Sequence, residues 1–485
     1  MKTAIIGAGI AGIALAIRRQ LAGDQVTVFE ANPTPGGKLA EMYWQGFRFD
    51  MGPSLFTLPE LVEELFTLAG KDSRPHFQYS RLEQITQYFW EDGTRLHAYA
   101  DPNRFAQELH DKLDEDPEAV QRFLAHSAEL YNITAELFLH RSLHKLSTYL
   151  SQKALRGMLN AHKLDAFRTM HRANAHRFRD PRTVQLFDRY ATYNGSNPYE
   201  APATLNIISH LEHNLGAFFP DEGMYAIVRS LVELAETLGV GFMYNAPVTQ
   251  ILTSSSRNVN GVEVRGEKLS FDRVVSNMDV VNTYRRLLPE QPHPERLLNQ
   301  PKSSSALIFY WAIRGTFPQL DLHNIFFAEN YETEFDTLFH EKALSEDLTT
   351  YVFVSQKHCP QDAPEGHENW FVMVNTPPDT GQNWGSMRDQ AREAVLRKLE
   401  RQLQTSLRER ILHETVLDPP GIAARTSSLG GSLYGNSSNN RFAAFLRHPN
   451  FSRRYPGLYF CGGSVHPGGG IPLCLLSAKI TSDAM

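Results

Sequence analysis

The chain has 485 residues, 42% of them hydrophobic and 21% charged, with a net charge of −6. That balance belongs to a folded globular protein of two or three structural regions, and nucleic-acid binding fits poorly because no recognised module is present. Three cysteines, Cys359, Cys461 and Cys474, lack metal-ligand spacing and are too few for a disulfide scaffold, which points to a reducing cytoplasm and to no metal site.

In chain order, the apolar run Ala4-Ile5-Ile6 leads into Gly7-Ala8-Gly9-Ile10-Ala11-Gly12 and then into Ile13-Ala14-Leu15-Ala16-Ile17. This is the strand, tight turn and helix of a dinucleotide-binding loop. Gly7 permits the turn, Gly9 lets the backbone approach a pyrophosphate, and Gly12 lets helix and strand pack closely. A second strand, Val26-Thr27-Val28-Phe29, ends in Glu30, eighteen residues beyond Gly12. A carboxylate there accepts both hydroxyl hydrogens of an adenosine ribose and repels a 2′-phosphate. Lys2, the apolar stretch and the Ala14-Leu15-Ala16 triplet also look like a secretory signal, but cleavage would delete the glycine loop, so the N terminus reads as mature structure.

Further along, the pattern predicts a helix from about 59 to 69 and a hairpin over 84–99 with Glu91-Asp92-Gly93-Thr94 as its turn. A helix-rich stretch follows from 101 to about 213, with Asp101-Pro102 and Asp116-Pro117 as helix starts. Between Arg141 and Arg189, eleven Lys or Arg stand against Asp165, Asp180 and Asp188, a local charge of +8 interleaved with residues such as Leu150, Leu159, Phe167 and Phe178. This reads either as a basic amphipathic region lying on an anionic membrane or as the solvated face of ordinary helices. No apolar run is long enough to cross a bilayer; the best, 306–313, is strand-sized.

After Gly216 the expected elements are a helix over 226–238, strands and hairpins from 246 to 277, aromatic strands within 305–375 and a helix from about 387 to 407. The Gly-Ser-Asn-rich segment 430–440 then leads to a second glycine loop, Cys461-Gly462-Gly463-Ser464-Val465-His466-Pro467-Gly468-Gly469-Gly470-Ile471-Pro472, and a last helix over 473–484.

Several motifs in this order carry a family resemblance. Glu30-Ala31-Asn32-Pro33-Thr34-Pro35-Gly36-Gly37-Lys38, Phe47-Arg48-Phe49-Asp50-Met51-Gly52-Pro53-Ser54, the segment from Tyr193 to Ala203, Phe219-Pro220-Asp221-Glu222-Gly223-Met224 and the run from His466 to Pro472 resemble flavin-dependent carotenoid desaturases of the phytoene desaturase type. Within that family, Gly431-Ser432-Leu433-Tyr434-Gly435 with Arg441-Phe442-Ala443-Ala444-Phe445 is more similar to the hydroxycarotenoid and methoxycarotenoid 3,4-desaturase branch. Two departures stand out. Lys38 replaces an arginine found in many relatives, keeping a charge near the pyrophosphate without the planar fork. The chain also stops at Met485 where relatives usually run on, which reads as a trimmed or disordered end.

The resemblance implies an α/β fold, with a Rossmann-like FAD-binding domain of the glutathione-reductase/amine-oxidase type, an inserted β-sheet substrate domain and a helical membrane-associating region. It divides the chain into FAD-binding parts at 1–75, 216–295 and 421–485, a substrate-domain hairpin at 76–100, a helical region at 101–215 and a β-rich substrate domain at 296–420. It implies FAD held by Gly7, Gly9, Ile10, Ala11, Gly12 and Glu30, by Gly36, Gly37 and Lys38, by Gly52, Pro53 and Ser54, by Val248 on the adenine side, and by Gly462, Gly463, Gly470, Ile471 and Pro472. The last helix would stabilise negative charge on the reduced flavin through its N-terminal amides.

The implied reaction is desaturation of a carotenoid, at the 3,4 bond of a hydroxylated or monocyclic one, by hydride transfer to flavin N5 and proton loss. The tunnel would run among the strands of 306–374 and the helical region, in a cytoplasmic protein peripherally bound to the inner membrane of a bacterium. Oxygen or a quinone would be the final acceptor, and the oligomeric state stays open. No catalytic residue follows. His466 and Glu200 are candidate bases, although such residues more often cap turns or hold loops. The alternatives are a phytoene- or neurosporene-type desaturase, a carotenoid cis-trans isomerase, a carotenoid binder without turnover, and a flavin amine oxidase, whose aromatic cage the sequence does not display.

Overall fold

The first apolar run, Lys2–Ile6, is the middle strand of a five-stranded sheet ordered Leu458–Phe460, Arg273–Ser276, Lys2–Ile6, Gln25–Phe29 and Gly241–Met243. All four pairings are parallel. The computed structural model describes residues 1–135, 139–145, 148, 164–440 and 447–485. A parallel sheet is buried on both faces, so its strands are apolar at successive positions. Ile5, Val26, Val28 and Val275 pack toward the helices Ile10–Leu21, Ala226–Thr237 and Ile471–Ser482. Ala4, Ile6, Phe29 and Val274 face the opposite way, toward the antiparallel strands Val248–Thr253, Val259–Val264 and Glu267–Ser270.

A second sheet has seven strands, ordered Ile411–Leu417, Ser305–Arg314, His367–Thr376, Thr350–Phe353, His323–Phe326, Gln84–Phe89 and Arg95–Tyr99. It is antiparallel except where His323–Phe326 meets Gln84–Phe89. The predicted hairpin is therefore its edge. Ser305–Arg314 is apolar on both faces for a structural reason: Leu307, Phe309, Trp311 and Ile313 pack with the helix Trp384–Leu403, while Ala306, Ile308, Tyr310 and Ala312 point into the main core. Side chains alternate across a strand, so one segment serves two cores.

Helix ends differ from the sequence expectation by a few residues. Trp384–Leu403 begins before Met387 because the Asn383 side chain accepts from the Ser386 amide, and it stops at a left-handed Gln404 rather than at 407. The last helix spans Ile471–Ser482, not 473–484, since Pro472 sits in the first turn, where no amide is needed. Asp101, Asp116 and Asp180 accept from backbone amides and cap Pro102–Leu113, Pro117–Thr134 and Pro181–Asp188.

Two family-like motifs are explained by packing. The Asp50 carboxylate accepts from the amides of Met224 (3.0 Å) and Tyr225 (3.2 Å), and a Cβ at Gly223 would lie 2.3 Å from the Arg48 guanidinium. The 47–54 and 219–224 motifs thus lock together. The segment after Tyr193 docks on the Gly-Ser-Asn stretch: Asn194 Nδ2 donates to Ser438 Oγ (2.7 Å), and the Asn197 amide to Asn439 Oδ1 (2.9 Å).

Part of the basic segment faces the interior. Arg189 does not lie on a solvated or membrane-facing surface; it is 5% exposed and points inward. Arg168 and Arg182 pair with Asp165 and Asp180. Lys153, Arg156 and Lys163, and the Arg441-Phe442-Ala443-Ala444-Phe445 motif, lie outside the described residues. Among the described residues no helix is long and apolar enough to cross a membrane.

Candidate active site

The N-terminal loop is shaped by contacts that only glycine permits. Gly7 has φ +96°, and a Cβ on Gly12 would sit 2.2 Å from the Gly7 carbonyl oxygen, so the helix Ile10–Leu21 lies directly on the end of the first strand. Gly9 is that helix's N-cap and brings no side-chain cap. Gly36 donates its amide to the Ala8 carbonyl at 2.7 Å, and Gly37 follows with φ +63°. Glu30 lies beneath this loop, its Oε2 accepting from the Ala8 amide at 2.7 Å and its Oε1 from the Asn32 amide at 2.9 Å.

The C-terminal loop is built in the same manner. Gly470 (φ +105°) precedes Ile471–Ser482, again with no side-chain cap, and a Cβ there would meet nothing within 4 Å. Two helices therefore start in glycine with unshared N-terminal amides, and they pack side by side. One side chain joins the loops. Asn277 follows the strand Arg273–Ser276; its Nδ2 donates to the Gly7 carbonyl at 3.2 Å, and a Cβ on Gly462 would come within 2.6 Å of its Oδ1. Sequence reasoning passed over Asn277, although a polar residue at the carboxyl end of a parallel strand is where such folds place ligand contacts.

Both loops open into one cavity of ≈ 1220 Å³. Gly7, Gly9, Ile10, Ala11, Glu30, Gly36, Gly37, Lys38, Gly52, Pro53, Ser54, Val248, Gly462, Gly463, Gly470, Ile471 and Pro472 line it; Gly12 acts from behind by its packing. The cavity continues between the seven-stranded sheet and the helical region, where Ile308, Ile325, Met373, Leu205 and Ile208 form its walls. That volume exceeds the usual ~300–1,000 Å³ of a small-molecule site.

Lys38 has a second role besides lining the cavity. Its ammonium donates to the carbonyls of Ser432 (2.8 Å) and Leu433 (2.7 Å), so it fastens the returning C-terminal segment to the first glycine pair. Burial pushes this group down to about 8, with the Asp279 carboxylate opposing the shift. Val248 begins its strand at the cavity edge, close to Glu30, whose carbonyl accepts from the Ala246 amide at 2.8 Å.

Neither candidate base is poised for proton transfer. His466 lines the cavity, but its Nε2 donates to the Arg141 carbonyl at 2.8 Å, and burial pushes its imidazole down to about 4. Glu200 pairs with His340 at 2.8 Å and is not part of the cavity wall. Polar side chains do line the far end: Arg189, Tyr193, Glu212, His323 and Tyr351. Glu212 lies in a wide π-type turn, His210–Leu215, which departs from regular helical spacing. No local sequence signal links Arg189 and Tyr193 to Glu212, His323 and Tyr351, which come from other segments.

Paired uncapped helix starts on a dinucleotide-type sheet, opening into an apolar cavity, define a flavin-dependent oxidoreductase. The model of flavin-containing amine oxidoreductases matches residues 10–485, and the chain belongs to that family. Its cofactor is FAD, which the cradle fits: two helices start without side-chain caps at glycines that line the cavity, and the space a Cβ at Gly470 would take is open. More particularly, the chain is 49% identical over 482 residues to a 1-hydroxycarotenoid 3,4-desaturase from Flavobacterium sp. (strain P99-3), covering 99% of this chain and 98% of that one. A 4,4'-diapolycopene oxygenase from Methylomonas sp is 34% identical over 492 residues, covering 99% and 97%. A solved putrescine oxidase shares the fold at a TM-score of 0.65 and 15% identity, covering 100% of this chain and 98% of that one.

Proposed function

We propose that this protein is a FAD-dependent desaturase that introduces a conjugated C=C bond into a carotenoid, at the 3,4 position of a hydroxylated one. The observation that carries the reading is the single cavity in which a nucleotide cradle runs into long apolar walls, in a chain 49% identical over nearly its whole length to an enzyme named for that reaction. Gly7, Gly9, Ile10, Ala11, Gly12, Glu30, Gly36, Gly37 and Val248 are assigned to the adenosine diphosphate end. Gly52, Pro53, Ser54, Gly462, Gly463, Gly470, Ile471 and Pro472 are assigned to the flavin end.

FAD supplies, when bound, the two-electron acceptor that removal of two hydrogens from a C–C bond requires. The protein's part is placement. Amides at the starts of Ile10–Leu21 and Ile471–Ser482 favour negative charge beside them. The apolar walls take a hydrocarbon chain and exclude water. Entry is assigned to residues 164–167, because Phe167 is 87% exposed although it lines the cavity; a membrane-dissolved polyene would enter there from a peripherally bound enzyme.

The test is turnover of carotenoid-loaded liposomes by the FAD-loaded protein, read by product mass and absorbance. Loss of two hydrogens with a red shift is expected. An unchanged mass would indicate an isomerase, and a gain of oxygen would move the protein toward its oxygenase relatives.

A further inference from the structure

Two polar side chains in the cavity wall have hydrogen-bonding capacity that the protein itself does not use. Glu212 and His323 line the cavity and are 1% and 3% exposed. Glu212 Oε2 and His323 Nε2 have no hydrogen-bond partner. Buried polar atoms in native proteins are nearly always paired, and leaving one unpaired is destabilising. Two such atoms in the wall of one apolar cavity call for a polar group on the ligand.

Both side chains are held from behind. Glu212 Oε1 accepts from the Tyr190 hydroxyl at 2.8 Å and lies 3.6 Å from Arg189 Nη2. Arg189 in turn donates to the hydroxyls of Tyr193 (2.7 Å) and Tyr88 (2.8 Å), so the counter-charge to the carboxylate is itself fixed. On the other side, His323 Nδ1 meets the Tyr351 hydroxyl at 2.7 Å, and that hydroxyl meets Ser54 Oγ at 2.7 Å. Burial pushes the His323 imidazole down to about 3, so the ring is neutral, with one nitrogen donating and the other accepting. When Tyr351 donates to Nδ1, Nε2 carries the hydrogen and offers it to the cavity. A carboxylate oxygen that only accepts and an imidazole nitrogen that donates are the complement of an alcohol.

We infer that Glu212 and His323 bind the hydroxyl of the substrate's end group, the hydroxyl donating to Glu212 Oε2 and accepting from His323 Nε2. This rests on the carotenoid reading and deepens it by assigning two side chains to the alcohol of the hydroxylated substrate. The location is consistent. Ser54 closes the Gly52-Pro53-Ser54 turn assigned to the flavin end, so the Ser54, Tyr351, His323 relay joins the hydroxyl site to the place where oxidation occurs. In a 1-hydroxy compound desaturated at the 3,4 bond, carbon 1 is only two C–C bonds, about 1.5 Å each, from carbon 3.

A site built to hydrogen-bond a hydroxyl rejects the analogue lacking it by as much as ~10⁴-fold. The test uses the FAD-loaded enzyme and two liposome-borne carotenoids that differ only by the 1-hydroxyl. Wild type should favour the hydroxylated one by at least about 100-fold in kcat/KM. In Glu212→Gln and in His323→Phe that ratio should fall at least tenfold, mostly through KM. His323→Phe leaves the Arg189 and Glu212 pair intact and so reports even if Glu212→Gln does not fold; flavin absorbance confirms loading. A purely structural or proton-transfer role would lower both substrates together and leave the ratio unchanged. An unchanged ratio in flavin-loaded His323→Phe, or a wild type indifferent to the hydroxyl, overturns the inference. A wild type that oxidises neither carotenoid instead overturns the desaturase reading beneath it.

Discussion

The two ends of the cavity are made from different parts of the polypeptide. The nucleotide end is shaped largely by backbone, the starts of two uncapped helices and glycines whose missing Cβ atoms let the chain cross itself, with the Glu30 and Asn277 side chains bracing the loops. At the far end they are side chains, Arg189, Glu212, His323 and Tyr351, set in apolar walls and oriented by one another. Backbone dipoles are fixed by the fold and suit a ligand common to a whole family. Side chains can be exchanged without touching the fold, so substrate choice resides where replacement is least disruptive.

The strongest way to break this contrast is to add a side chain at the backbone-built end. Gly12→Val places its Cβ 2.2 Å from the Gly7 carbonyl oxygen, which cannot yield without moving the first strand. Overpacking of this kind costs roughly 1–3 kcal/mol, so the variant should be folded by circular dichroism yet carry no flavin absorbance. Full flavin occupancy would refute the backbone account.

Lys38 gives the next effect, and it is visible only with pH. Its ammonium titrates at about 8 in the native state against 10.5 when unperturbed. Between those values the unfolded chain binds more protons than the native one, so stability rises with pH; below about 8 the burial penalty is present in full. In flavin-free protein, urea unfolding should show wild type gaining up to about 3 kcal/mol across that window relative to Lys38→Met. A relative loss over the same window would place the charge elsewhere.

Asn277→Ala removes a side chain that serves both loops. The lost bond to the Gly7 carbonyl should raise the FAD dissociation constant about tenfold, roughly 1.4 kcal/mol, measured by flavin fluorescence titration. No change would mean that the loops hold their shape without it. The smallest effect belongs to Glu200→Gln. Glu200 faces His340 outside the cavity, and exposed pairs contribute about 0–1 kcal/mol, so carotenoid turnover should stay within about twofold. A collapse of kcat would return Glu200 to the list of bases.

The nucleotide end was legible because its information is local. Gly7, Gly9 and Gly12 fall within one strand-turn-helix, and Asp101 and Asp116 stand directly before the helices they cap. The far end was not. Arg189, counted with a basic surface, turns inward because Tyr88, Tyr190 and Tyr193 surround its guanidinium, and only the folded chain brings Tyr88 there. Lys38 follows the paired glycines as expected, yet its partners are carbonyls nearly four hundred residues away. Asn277 lies between these cases: its position at a strand end was readable, its link to two loops was not.

Asn277 also sets an order of assembly. The first glycine loop is synthesised 270 residues before the amide that steadies it. The edge strand Leu458–Phe460 and the helix Ile471–Ser482 come later still. Until they are made, Arg273–Ser276 is an open parallel edge, the kind of surface that invites pairing with other chains. With the C-terminal loop assigned to the flavin as proposed, FAD capture would come late, and bound flavin would serve as a spectroscopic tally of chains whose final segment has found its place beside the first.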